Sequence, residues 1–144
     1  MVSNDTIRLL KECDAGSKMA VASIDDVLER VENSELKGLL QESKGHHAKL
    51  GNEIHSLLNE YGKSEKDPNP MAKGMSKMKT GMKMTMDDSD ATVADLITDG
   101  CNMGIKSLFR YMNQYKAADD TSKDICNRLV SIEEELRKGL RSYL

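Results

Sequence analysis

Two kinds of metal chemistry are within reach of this sequence's side chains. Asp14 and His47 fall on lines of residues that are otherwise apolar or small, and Glu53 and Glu133 are further carboxylates at heights comparable to that of Asp14. Paired carboxylates bridge hard cations, and imidazoles complete the coordination. Six of the ten methionines crowd between Met71 and Met86, and Met71, Met75, Met78 and Met82 repeat with helical spacing among Lys73, Lys77, Lys79 and Lys83. Thioethers suit Cu(I). The same period also suits a short amphipathic helix that lays a deformable Met face on the rest of the protein, and the period favours this docking reading. Cys13, Cys101 and Cys126 are odd in number with no CxxC pairing, the usage of free thiols in a reducing cytosol. No serine–histidine–acid order, Gly-rich phosphate loop or activated-cysteine motif is present.

The elements that must position these residues are helical. Aromatic residues make up only 3% of the 144 residues, and the alternating β-branched pattern of strands is scarce. In the first helix a 3-4 spacing joins Ile7, Leu10, Asp14, Ser17, Val21, Ile24, Leu28 and Val31. In the second it joins Leu36, Leu40, Ser43, His47, Leu50, Ile54, Leu57 and Tyr61, after an Asn33–Ser34 cap and before a stop at Gly62. A third inner line runs through Val93, Leu96, Gly100, Gly104, Ser107 and Tyr111, and a fourth through Ile125, Leu129, Ile132, Leu136, Leu140 and Tyr143. The expectation is one all-α domain over 1–144, with helices at about 4–32, 34–61, 92–117 and 121–143. Short turns make two antiparallel hairpins. The crossover over 62–91 is long enough to return along the bundle, so helices two and three run parallel. It is expected to contain the short Met-rich helix.

With hydrophobic residues at 38%, charged residues at 31% and net charge −3, a soluble core is expected and nucleic acid is not expected as a partner. No apolar run approaches the ~20 residues of a membrane span, and Met1 to Asp5 lacks a secretory signature.

The sequence resembles an uncharacterised bacterial family of the ferritin-like superfamily over nearly its whole length. The resemblance rests on Leu9-Leu10-Lys11-Glu12-Cys13-Asp14-Ala15-Gly16, on Ser34-Glu35-Leu36-Lys37-Gly38-Leu39-Leu40, and on Ile54 through Gly62, followed by the crossover and the Tyr111 region. It implies a ferritin-like four-helix bundle. In metal-active members, core carboxylates with Glu-x-x-His pairs hold two iron or manganese ions.

Those ligands are tested position by position. If numbers facing each other in the first hairpin add to about 67, Asp14 is level with Glu53 and Ile54, and His47 with Ala20 and Val21, about 10 Å away. Pairing the second hairpin around Ala118 puts Glu133 opposite Gly104 and near Ser17 and Lys18. Asp14, Glu53 and Glu133 are therefore expected to form one acidic layer that the histidines do not join. Ser56 and Leu136 stand where Glu-x-x-His pairs would need histidine, and Gly100, Cys101 and Gly104 fall where the third helix would give its carboxylate. His47 reads as a satisfied core histidine, His46 sits on the flank, and His55 faces solvent.

The expected protein is therefore a non-catalytic ferritin-like bundle with a degenerate di-metal site and no cofactor. It is expected in the cytoplasm, away from membranes, acting through association with a second copy or a helical protein partner. Ile105, Phe109 and Met112, with Cys101 and Leu108 beside them, form an apolar stripe facing away from the third inner line. They are the interface candidates, together with Met71, Met75, Met78 and Met82. The alternatives are a di-iron or di-manganese protein using Asp14, Glu53, Glu133 and His47, and a Cu(I)-binding protein using the methionine segment.

Overall fold

The structure, a computed structural model, describes residues 2–63 and 89–144. The described residues form four helices and no strand: α1 (Asn4–Leu28), α2 (Ser34–Glu60), α3 (Asp90–Gln114) and α4 (Asp120–Leu140), followed by a 3-10 turn at Arg141–Tyr143. The Met-rich crossover helix expected around Met71, Met75, Met78 and Met82 lies outside the described residues.

Each helix starts on a side chain that satisfies its first free amides. Ser3 Oγ accepts from the Thr6 amide, Asn33 Oδ1 from Glu35 and Leu36, Ser89 Oγ from Thr92, and Asp119 Oδ1 from Ser122. Such caps are worth about 1 kcal/mol each. Gly62 ends α2 with φ +69°, a backbone conformation that costs a Cβ-bearing residue. Lys63 N bonds back to Leu58 O and Gly62 N to Asn59 O, closing the last carbonyls of α2. α1 stops at Leu28, short of the expected residue 32, because the Arg30 amide tightens onto Val27 O and turns Val31 into the core. α3 starts at Asp90 and ends at Gln114, two and three residues before the expected bounds, since Ser89 is its cap and Tyr115 leaves helical geometry at φ −103°, ψ 60°.

Hydrogen bonds at the two ends set the directions. Where α1 turns into α2, the Asp90 carboxylate accepts from the Glu32 and Asn33 amides at 3.0 and 2.9 Å. At the other end Asp5 accepts from the Ala117 amide, Thr6 Oγ1 from the Asp119 amide at 2.8 Å, and Ser3 Oγ donates to Ala117 O. α1 is therefore antiparallel to α3 and parallel to α4. Arg128 reaches Glu53 at one end of the α2–α4 seam, and Gly139 lies against Leu39 near the other, so α2 and α4 are antiparallel and α2 runs parallel to α3 as expected. α1 packs on all three other helices.

The breadth of each buried face follows from these neighbours. Of its expected seam α1 buries Ile7, Leu10, Asp14, Ser17 and Ile24 and leaves Val21 and Leu28 half-buried; it also buries Thr6, Leu9, Cys13, Ala15 and Val27. α2 buries the line read from the sequence almost unchanged, with Leu58 in place of Leu57 and Tyr61. α3 differs: it buries Val93, Ala94, Ile97, Cys101 and Leu108, while Gly100 is exposed. Its inward face is thus turned by about one residue, ~100°, from the glycine line. Glycines bring no apolar area to bury, so the neighbouring Ile97, Cys101 and Leu108 win the seam. The supposed outer stripe is largely this seam. Ile105 and Met112 pack half-buried on the core, and Phe109 alone of the three is exposed. Among the described residues, no helix is long and apolar enough to cross a membrane.

Among the described residues the core has two apolar clusters. One holds Leu9, Leu10, Leu50, Ile54, Ile125 and Leu129, and the other Ile24, Val27, Leu36, Leu40, Val93 and Leu140. The buried polar residues Ser17, Ser43, His47 and Glu133 occupy the levels between them.

Candidate functional site

His47 is fully buried on α2, and its two ring nitrogens are both engaged. Nδ1 lies 2.8 Å from the carbonyl oxygen of Ser43, one turn earlier on the same helix. A carbonyl only accepts, so Nδ1 carries a proton. Nε2 lies 2.7 Å from Glu133 Oε1 on α4, and the Glu133 side chain is 9% exposed. One proton sits in that bond. Whichever atom holds it, the two side chains together carry no net charge, which is how a carboxyl and an imidazole can share a dry interior.

Two residues of α3 complete the surroundings of the carboxylate. A Cβ added to Gly104 would stand 3.6 Å from Glu133 Cδ, an ordinary contact distance, so α3 passes directly beside the carboxylate. The Cys101 thiol donates to Glu133, and burial together with this carboxylate's charge pushes the thiol well above its ordinary range. Cys101 is a neutral donor here and not a nucleophile.

The expected acidic layer does not assemble. Asp14 is buried with its side chain 2% exposed, and the Lys18 ammonium stands 3.1 Å from Oδ2 on the same helix, without the angle of a hydrogen bond. Asp14 also anchors Ser17, whose hydroxyl donates to the Asp14 carbonyl oxygen at 2.9 Å. Glu53 points out of the bundle, where Arg128 grips both its oxygens at 2.9 and 2.7 Å. That guanidinium holds the Glu53 carboxyl below its usual range, and since the pair is about half exposed it contributes little to stability. Glu133, the third member, pairs with the histidine that was expected to lie apart from it.

The physical reason is register. Across the α2–α4 seam, facing residues are Glu53 with Arg128, His47 with Glu133 and Leu39 with Gly139, numbers that add to about 180. His47 and Glu133 are therefore level, and Asp14 is about seven residues, ~10 Å, from them along the axis. A direct signal for this was present: Gly62 ends α2 at the same end of the bundle where Asp119 starts α4, and pairing these two brings residue 47 opposite 133–134.

These residues do not fit a di-metal centre. Both nitrogens of His47 are used, Asp14 is a layer away, Glu53 is outside, and His46 meets only Glu42 at the surface. Among the described residues, no group of three or more His, Cys, Asp or Glu is arranged to hold a metal ion. The described residues define an all-helical class, four packed helices. Compared with protein-family models, curated proteins and solved structures, the chain matches none.

The three free thiols are all buried, and this gives stability an alkaline limit. An unfolded thiol ionises near pH 8.5, whereas burial and the Glu133 carboxylate keep Cys101 protonated well beyond that; the hydrogen bond between Cys13 and Cys126 moves those two thiols in opposite directions. Above about pH 8.5 the folded state therefore holds at Cys101 a proton that the unfolded state sheds, and stability falls as pH rises. Between pH 7 and 9.5 the loss is expected to be roughly 1 kcal/mol for this thiol. Urea titrations at the two pH values check it: Cys101→Ala should flatten the slope by about that amount, and an unchanged slope would contradict the assignment.

Proposed function

We propose that this chain is a ferritin-like bundle that has given up metal chemistry and acts by protein association. The up-down-down-up order of its helices, with the long connection between α2 and α3, is the arrangement that the ferritin-like reading requires. The single observation behind the non-catalytic part is the 2.7 Å bond between His47 and Glu133. The mid-bundle donors that would meet a cation instead satisfy each other, and neither is open to solvent.

The association part draws on the large apolar side chains exposed on α3, Met103 and Phe109. The partner is a second copy of the chain or a helical protein, with no role for nucleic acid or a membrane. The free thiols accord with a reducing, cytoplasmic setting.

Elemental analysis of protein produced in iron- and manganese-supplemented medium, coupled to a solution mass measurement, tests both parts. The expected result is metal far below one ion per chain and a mass that rises with concentration. Tightly bound stoichiometric metal that disappears in Glu133→Gln would overturn the first part, and a concentration-independent monomer mass the homo-oligomer.

A further inference from the structure

Two of the buried thiols meet across the seam between α1 and α4. Cys13 and Cys126 are both fully buried in the same apolar cluster. The helices that carry them run parallel, and three pairs of facing residues share one offset of 113 in number: Thr6 with Asp119, Cys13 with Cys126, and Gly16 with Leu129. A Cβ added to Gly16 would stand 3.8 Å from a Leu129 methyl, an ordinary contact, so these two residues face each other one turn beyond the cysteines. Cys126 donates to the Leu108 carbonyl oxygen at 3.8 Å, and Cys13 donates to Cys126 Sγ. Cys101 belongs to the other apolar cluster, beside Glu133, and is not a competitor.

We propose that Cys13 and Cys126 are a redox pair, closed into an α1–α4 disulfide by a low-molecular-weight disulfide such as oxidised glutathione. This does not depend on the function proposed above. The Cys126 thiolate attacks one sulfur of glutathione disulfide, a mixed disulfide forms, and one glutathione leaves. Cys13 then attacks Cys126 Sγ, displacing the second glutathione. Two cysteine thiols are oxidised, one glutathione disulfide is reduced to two glutathiones, and the two cysteine protons end on them. The balance is the same if Cys13 attacks first and Cys126 closes the bridge. The sulfurs are shielded in the folded state, so the exchange takes place while the chain opens or folds.

The full chain, reduced and unfolded in urea, is refolded into a buffer of oxidised and reduced glutathione, quenched with acid and mapped by mass spectrometry. The expected product has lost two hydrogens, joins the Cys13 peptide to the Cys126 peptide, leaves Cys101 as a thiol, and resists urea better than the reduced chain. Cys101→Ser should give the same cross-link. Three results would overturn the proposal: glutathione adducts or free thiols alone, a disulfide that includes Cys101, or a Cys13–Cys126 product that unfolds at lower urea than the reduced form.

Discussion

Replacing His47 by leucine is expected to destabilise the protein by about 3–5 kcal/mol, the cost of leaving a buried ionisable partner uncompensated. The variant leaves Glu133 in a site that is closed to water, with the Cys101 thiol as its remaining donor. Glu133→Leu should cost less, about 1–3 kcal/mol, because His47 keeps the Nδ1 bond to Ser43 and leaves only a neutral ring nitrogen unsatisfied. The double variant should recover most of the loss, since two apolar groups of similar volume remove the desolvation problem together. Glu133→Gln is the informative conservative change. The amide can donate to Nε2 of a neutral imidazole, so the loss should stay below about 1 kcal/mol, as for exchange of one neutral hydrogen bond. Urea unfolding of the four variants measures these terms as a double-mutant cycle. A double-variant loss equal to the sum of the His47→Leu and Glu133→Leu losses would show that the two side chains are not coupled.

Asp90→Ala is expected to cost about 2 kcal/mol, from two charge-assisted hydrogen bonds discounted for their exposure to solvent. The carboxylate accepts from the Glu32 and Asn33 amides, and it sits in the first turn of α3, where a negative charge also meets the helix dipole. Asn33 is in turn the cap of α2, so one side chain ties the start of α3 to the α1–α2 turn and steadies the next helix. Asp90→Asn keeps one acceptor oxygen and should lose about half as much. Amide hydrogen exchange gives a local check: the Glu32 and Asn33 amides should exchange faster in Asp90→Ala, while the Ala117 and Asp119 amides at the far end keep their protection. Uniform acceleration at both ends would mean that the effect is global and the clamp is not the cause.

Much of the architecture could be seen before any coordinates, because apolar spacing and caps act locally. The α2 line from Leu36 to Ile54 is the buried line in the structure, and Gly62 ends the helix by adopting the positive φ that its lack of a Cβ allows. The expected α3 line runs through Gly100 and Gly104, whereas burial follows the larger apolar groups one position on. The site was misjudged for a different reason. Heights carried from α2 through α1 to α4 accumulate the uncertainty of each turn, and an error of two to three residues is a displacement of about 4 Å. That was enough to assign Glu133 to the Asp14 layer and to miss His47. Glu53 was a matter of direction: level with the interior, it points to Arg128 at the surface.

The parallel seam between α1 and α4 also bears on how the chain assembles. Each hairpin closes over a few tens of residues, whereas Thr6 and Asp119 lie 113 apart and His47 and Glu133 lie 86 apart. Closing the longer loops costs more chain entropy, so local hairpins precede their docking. The mid-bundle bond forms between hairpins and so is absent until the halves meet. An interaction made that late does little to hasten folding; it slows escape from the native state.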